Sequence, residues 1–186
     1  MKKMFCYPTI DNAVCVVVDV QAKLLPAMND PESVLNRTQM LVKGMNEMNV
    51  PVVVTEQYPQ GLGNTVPELA ELFTENTPVI AKTSFSCFGE EAFANAMDIE
   101  KRPVMIICGI ESHVCVAQTA LDALNAGYKV FIASDAVNSR KVSDMETGLA
   151  FLRHAGCNVI SAEAILFLLL KTAKNPAFKA VSKLVR

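Results

Sequence analysis

At 186 residues the chain is long enough for one domain with a sizeable core, without disulfide or metal staples. A net charge of −2, with 51% hydrophobic and 6% aromatic residues, describes an aliphatic α/β interior and gives no basic stripe for a nucleic-acid partner. The most apolar late stretch, residues 164–170, is far too short to span a bilayer, and the opening M-K-K-M-F-C-Y-P has no long apolar core, so it reads as neither signal peptide nor membrane anchor.

The first buried strand is A-V-C-V-V-V, residues 13–18, ending in Asp19. Pro31 and Glu32 open a helix over 31–48, with Val34, Leu35, Thr38, Leu41, Val42, Met45 and Met48 at helical spacing. A second strand spans 50–55. The loop after it, E-Q-Y-P-Q-G-L-G-N-T-V-P, is too long for a plain connector, and such loops after parallel strands often carry function. Pro67 and Glu68 start a short helix, a third strand at 78–81 ends in Lys82, and T-S-F-S-C-F-G leads to a helix over 89–97.

The fourth strand, 104–108, is an unbroken apolar run stopped by Gly109. Ser112 is the expected N-cap of a helix over 112–125, which puts Cys115 in its first turn. Free N–H groups and the positive end of the helix dipole there favour a thiolate. Gly127 stops this helix, a fifth strand follows at 129–133, then a helix over 142–154, a sixth strand at 157–160, a helix over 162–173 and an amphipathic tail over 176–185 carrying Phe178, Val181 and Leu184 on one face. Strands alternating with helices predict an α/β fold: a three-layer, doubly wound (Rossmann-like) single domain over residues 1–186, around a six-stranded, mostly parallel sheet of order 3-2-1-4-5-6.

None of the six cysteines, Cys6, Cys15, Cys87, Cys108, Cys115 and Cys157, forms a C-x-x-C, and Cys15, Cys108 and Cys157 fall on buried-strand patterns. Two histidines, His113 and His154, are available to complete a zinc site. Free thiols in a reducing, cytoplasmic setting are expected, with mitochondrial association left open.

Asp19, Lys82 and Cys115 stand at the carboxyl ends of three buried strands. The first and fourth strands are neighbours across the switch point of the predicted sheet, where open α/β sheets bind ligands. Each residue alone has an ordinary reading: a turn aspartate, a solvated lysine, a structural cysteine. Together on one edge they make an acid, a base and a thiol suited to nucleophilic catalysis. His113, two residues before Cys115 and about 200° away around a helix, is badly placed as that thiol's base and reads as structural. Cys87 reads as a partly exposed thiol and Asp135 as a brace between loops.

V-V-D-V-Q around Asp19, A-K-T-S-F-S around Lys82 and G-I-E-S-H-V-C-V ending at Cys115 resemble the isochorismatase-like (cysteine) hydrolase family over essentially the whole chain. T-E-Q-Y-P-Q-G-L-G-N-T-V-P-E-L and N-P-A-F-K-A-V-S-K-L are similar to its isochorismatase domain-containing subgroup. The resemblance implies that Asp19 accepts the thiol proton, Cys115 attacks a carbonyl carbon and Lys82 keeps the pair ionised. It places a cis peptide between Ile110 and Glu111, with the N–H groups of Glu111 and Cys115 as an oxyanion hole. The implied reaction is cleavage of an amide or carbamoyl C–N bond in a small molecule through a thioester, by a homo-oligomer without a cofactor.

Two departures narrow this reading. Members that hydrolyse the vinyl ether of isochorismate lack the cysteine, so that activity is not expected. Nicotinamidases bind a metal through Asp and His after the second strand, where this chain has Glu56, Gln57, Tyr58 and Pro59, so no metal is expected either. Gln21, Tyr58, Phe85 and Phe88 are the candidate substrate contacts. Two alternatives stay open: a non-catalytic or regulatory binding protein that keeps the triad, and a ribonuclease, a label some relatives carry.

Overall fold

Apolar runs without polar alternation have to be covered on both faces, and the strands obey that demand. The computed structural model describes residues 7–186; Cys6, one of the expected free thiols, lies outside the described residues. Six strands, β1 (Ala13–Val18), β2 (Val52–Gln57), β3 (Val79–Lys82), β4 (Val104–Ile110), β5 (Lys129–Asn138) and β6 (Asn158–Ile160), form one sheet in the order β3-β2-β1-β4-β5-β6. Every pairing is parallel, and every residue of the central β1 and β4 is buried.

The helices are α1 (Pro31–Glu47), two single turns α2 (Pro59–Leu62) and α3 (Pro67–Ala70), α4 (Glu91–Glu100), α5 (Cys115–Asn125), α6 (Val142–Ala155), α7 (Ala162–Leu170) and α8 (Phe178–Leu184). Side chains alternate along each strand, so the sheet feeds two cores. Cys15, Val17, Val54, Ile106 and Cys108 pack under α1, α7 and α8. Val16, Val18, Val53, Ile80 and Ile107 pack under α4, α5 and α6. The three-layer, doubly wound fold and its strand order are those the sequence predicts.

Local chemistry accounts for the helix starts. Asp30 accepts from Ser33 N at 3.1 Å ahead of Pro31, which is pre-set for a first helical turn. Ser161 accepts from Ala164 N and Asp135 from Ala162 N at the head of α7, so Asp135 is a helix brace.

Four local expectations are corrected. Ser112 is not an N-cap: α5 begins at Cys115 with Val114 at its cap and no side-chain bond there. The Ser112 hydroxyl accepts from Ser139 instead, and its N–H donates to Asn138 O. Gly109 does not end its strand but sits inside β4, at a register shift against β5 that carries the fifth strand on to Asn138. A Ser86-capped turn, Cys87–Gly89, delays the next helix to Glu91. Cys87 is fully buried. Among the described residues no helix is long and apolar enough to cross a membrane.

Gly109 is the tightest point of the sheet. Its φ is +108°, and a Cβ there would overlap the Val18 carbonyl of the adjacent strand. Gly127 has φ +92° with open space around the same position. Gly109→Ala is therefore expected to lower the unfolding free energy by about 3 kcal/mol or more and Gly127→Ala by about 1 kcal/mol, as measured by urea titration.

Candidate active site

The alternation that divides the cores also aims polar side chains. Val53 and Ile80 face α5, so Thr55 and Gln57, two and four residues beyond Val53, and Lys82, two beyond Ile80, face the same way. Gln57 and Lys82 are register partners. The Lys82 ammonium lies 2.7 Å from Asp19 Oδ2, donates to Gln57 Oε1 at 2.6 Å, and donates to the carbonyls of Ser84 and Phe85 at 3.2 and 3.1 Å. Both charged side chains are completely buried.

Asp19 leaves β1 in the left-handed region, φ +54°, a conformation that costs a residue with a Cβ roughly 1–2 kcal/mol. Its N–H donates to Thr55 O, and Thr55 Oγ1 donates to Asp19 Oδ1 at 2.8 Å. Oδ2 has Lys82 beside it but no aligned hydrogen-bond donor. A carboxylate oxygen has room for two hydrogen bonds, so with the Lys82 ammonium on one side Oδ2 keeps a second acceptor position.

The turn that delivers Cys115 is held from several sides. The Ile110–Glu111 peptide is cis, at the position the family resemblance implies. The Glu111 carboxylate accepts from Arg140 N at 2.9 Å and Arg140 Nε at 3.1 Å. His113 Nδ1 meets Ser139 Oγ at 2.9 Å, a structural contact. Gly148 of α6 lies so close that a Cβ there would stand 3.2 Å from the His113 backbone. Asn138 and Ser139 tie the turn to the head of α1 through Asp30 O and Asn29 N. Among the described residues the N–H groups of Glu111 and Cys115, the implied oxyanion hole, make no backbone hydrogen bond in the turn.

Burial first, and then the negative charge of Asp19, push the Cys115 thiol up to about 12, with Lys82 offsetting only part of the rise. This overturns the expectation of a resting thiolate: the helix N-terminus does not outweigh desolvation and a neighbouring carboxylate. The resting site is a thiol facing a carboxylate, and Asp19 also acts on that thiol as a hydrogen-bond acceptor.

The four candidate substrate contacts fall into two groups. Tyr58 and Phe85 are half-exposed, at 54% and 53%, on the loops after β2 and β3. Gln21 is fully buried, its amide donating to Gln57 O and Gly63 O and accepting from Gln57 N, so it clamps the loop and keeps no hydrogen for a ligand. Phe88 is partly buried, packing edge-on against Phe93, centroids 5.2 Å apart, and near Tyr128 at the margin of the core beneath α4. Glu56, on the opposite face of β2, is engaged by Thr65 N, Thr65 Oγ1 and Asn64.

Thr55 and Gln57 are polar contributors that the motif reading passed over. Their signal was present in V-V-V-T-E-Q: two polar residues at i and i+2 on one face of an otherwise apolar strand.

The isochorismatase domain profile matches residues 13–164. Isochorismatase domain-containing protein 2 of Danio rerio is 36% identical over 173 residues, covering 93% of this chain and 86% of that one. A solved structure described as MAR1 ribonuclease from Caenorhabditis elegans superposes with a TM-score of 0.92 at 34% identity, over 97% of this chain and 92% of the other. The YcaC gene product of Escherichia coli, described as an octameric hydrolase of unknown specificity, superposes with a TM-score of 0.92 at 25% identity, over 98% and 92%.

Two stability measurements check the electrostatics. Lys82→Met leaves a buried carboxylate without its cation and is expected to cost about 3–5 kcal/mol in urea unfolding, most of which returns when Asp19→Asn is added. Thiols of the unfolded chain ionise near pH 9, whereas burial holds Cys87 and Cys157 to about 11 and Cys115 to about 12. The folded state thus keeps protons that the unfolded state loses. The stability from these thiols is intact below pH 9 and falls as pH rises from 9 to about 12, less steeply in a Cys115→Ser, Cys157→Ser variant.

Proposed function

The chain belongs to the isochorismatase family, and within it we propose a cysteine-dependent hydrolase that cleaves a small amide or carbamoyl C–N bond through Asp19, Lys82 and Cys115. The observation that carries this reading is the buried Asp19–Lys82 pair, with the Asp19 carboxylate accepting from a protonated Cys115. A carboxylate placed in that way can take a thiol proton at the moment of attack, with Lys82 2.7 Å away to balance the charge.

In the proposed course, Cys115 Sγ bonds to the carbonyl carbon as its proton passes to Asp19 Oδ2. The carbonyl π electrons move to oxygen, which the N–H groups of Glu111 and Cys115 stabilise. Collapse breaks the C–N bond, Asp19 returns the proton to the leaving nitrogen, and a thioester remains. Water then attacks, giving its proton to Asp19. The second collapse frees the acid and restores the thiol. Throughout, Lys82 stays charged and compensates whichever neighbour carries the negative charge. The exposed Tyr58 and Phe85 are the substrate contacts that fit this reading, the substrate entering past their loops.

The octameric description of the E. coli relative supports a homo-oligomer. The label on the C. elegans structure supports a second reading, ribonuclease activity, and the same variants separate the two.

The test measures amine or ammonia release across a panel of primary amides and carbamoyl compounds, with RNA cleavage in parallel. Cys115→Ala is expected to lose about four orders of magnitude in turnover while keeping its circular dichroism spectrum. Hydrolysis unchanged in that variant would sink the proposal. No turnover on the panel by the wild type would favour a binding protein, and RNA cleavage abolished by Cys115→Ala would favour the nuclease.

A further inference from the structure

The mechanism above leaves one buried nucleophile without a role. Cys87 follows Lys82 in the chain and is fully buried, as are Thr55, Thr119 and Asp19. Thr119 Oγ1 donates to Cys87 Sγ at 3.2 Å, Cys87 Sγ donates to Thr55 Oγ1 at 3.7 Å, and Thr55 Oγ1 donates to Asp19 Oδ1 at 2.8 Å. The direction of this chain is forced. An ionised carboxylate only accepts, so the single hydroxyl hydrogen of Thr55 goes to Asp19, and the Thr55 oxygen is left to accept from the thiol. The Cys87 N–H donates to Thr119 Oγ1 at 3.0 Å, which occupies that oxygen and leaves its hydrogen for the sulfur.

Thr119 lies four residues after Cys115 on α5 and so projects from the same side of the helix, one turn on. The chain therefore starts on the helix that carries the nucleophile and ends on the base. At neutral pH burial keeps the Cys87 thiol protonated, as a donor must be. The charged and titratable groups that face Asp19 are Lys82 from β3, Cys115 from α5 and Cys87 from the turn after β3.

We propose that Thr119, Cys87 and Thr55 form a positioning relay that pins Asp19 Oδ1, so that Oδ2 alone faces Lys82 and the Cys115 proton. The relay divides the carboxylate into a held oxygen and a working oxygen, and it couples the aim of the base to the helix that aims the nucleophile. It rests on the proposed role of Asp19 as the base for Cys115, and it gives Cys87 a structural purpose that requires its S–H.

The test needs no substrate. The rate of iodoacetamide alkylation at Cys115 is followed from pH 3.5 to 8 by mass spectrometry of its peptide, in folded wild type and variants. In the wild type the rate rises with pH to a plateau. Thr55→Val removes the hydrogen bond to Asp19 Oδ1 and is expected to move the midpoint of that rise up. Thr55→Ser restores it. Cys87→Ala moves the midpoint in the same direction by a smaller amount, and Cys87→Ser, which keeps a donor and an acceptor, does not.

A lower plateau with an unmoved midpoint in Thr55→Val would show a merely structural role and overturn the relay. So would identical midpoints in Cys87→Ala and wild type, a comparison that stands even if Thr55→Val does not fold. Asp19→Asn separates the two levels of the argument. If it keeps the wild-type rise and plateau, the role of Asp19 as base has failed; if it loses them while Thr55→Val and Cys87→Ala leave the midpoint unmoved, only the relay has.

Discussion

The organising constraint of this molecule is an ammonium and a carboxylate, 2.7 Å apart, with no exposure to water. Such a pair is expensive to desolvate and persists only where further hydrogen bonds complete it. Around Lys82 and Asp19 those bonds come from β2, through Thr55 and Gln57, and from the carbonyls of the loop after β3. That loop is fastened in turn: the Glu90 carboxylate accepts from Thr83 N, Ser84 N and Ser84 Oγ, and the Ser84 hydroxyl foremost lowers its pKa. Gln21 holds the loop on the other side. The carboxyl edge of the sheet is thus one connected polar network, and its rigidity follows from the need to leave no charge unpaired.

The same constraint sets the protonation of the candidate nucleophile. One positive and one negative charge already balance in the buried site, so a thiolate would add an uncompensated charge in a poorly solvated place. Cys115 is accordingly held as a thiol. In the proposed mechanism this is an advantage: transfer of its proton to Asp19 moves the negative charge from oxygen to sulfur without changing the total beside Lys82. The thiolate forms only as it attacks.

The fold was legible because burial writes itself into sequence. Unbroken runs such as A-V-C-V-V-V and V-M-I-I-C could only be central parallel strands, and the alternation with amphipathic helices ordered them. Asp19, Lys82 and Cys115 were legible as polar interruptions at the ends of those runs. What could not be read locally were features decided by distant partners. Ser112 has the composition of an N-cap, but Ser139, brought in by the β5 extension, claims its hydroxyl. Gly109 looked like a strand terminator because its neighbour Val18, the reason for the glycine, is far away in sequence. Gln21 and Phe88 sit beside plausible pocket residues in the chain, yet long-range packing turns one into a loop clamp and lays the other partly against the core. Cys87 reads locally as a partly exposed thiol for the same reason: its burial depends on Thr55 and Thr119, each thirty-two residues away.

The polar network also separates chemistry from selectivity. Nearly every polar group around the proposed reaction centre is already engaged by another: Thr55 with Asp19, Gln57 with Lys82, Glu111 with Arg140, Gln21 with the loop backbone. Under the proposed function the groups left for a substrate are the thiol, the Asp19 carboxylate and the N–H groups of Glu111 and Cys115. Those address a carbonyl carbon, a carbonyl oxygen and a transferable proton, which are common to all amides and carbamoyl compounds. Discrimination among such compounds then falls to side chains outside the network, of which Tyr58 and Phe85 are the large exposed ones at its rim. Loops carrying those aromatics can change without disturbing the buried pair, because the carbonyls that hold Lys82 are backbone groups indifferent to side-chain identity. One scaffold can therefore keep its reaction while its substrate changes.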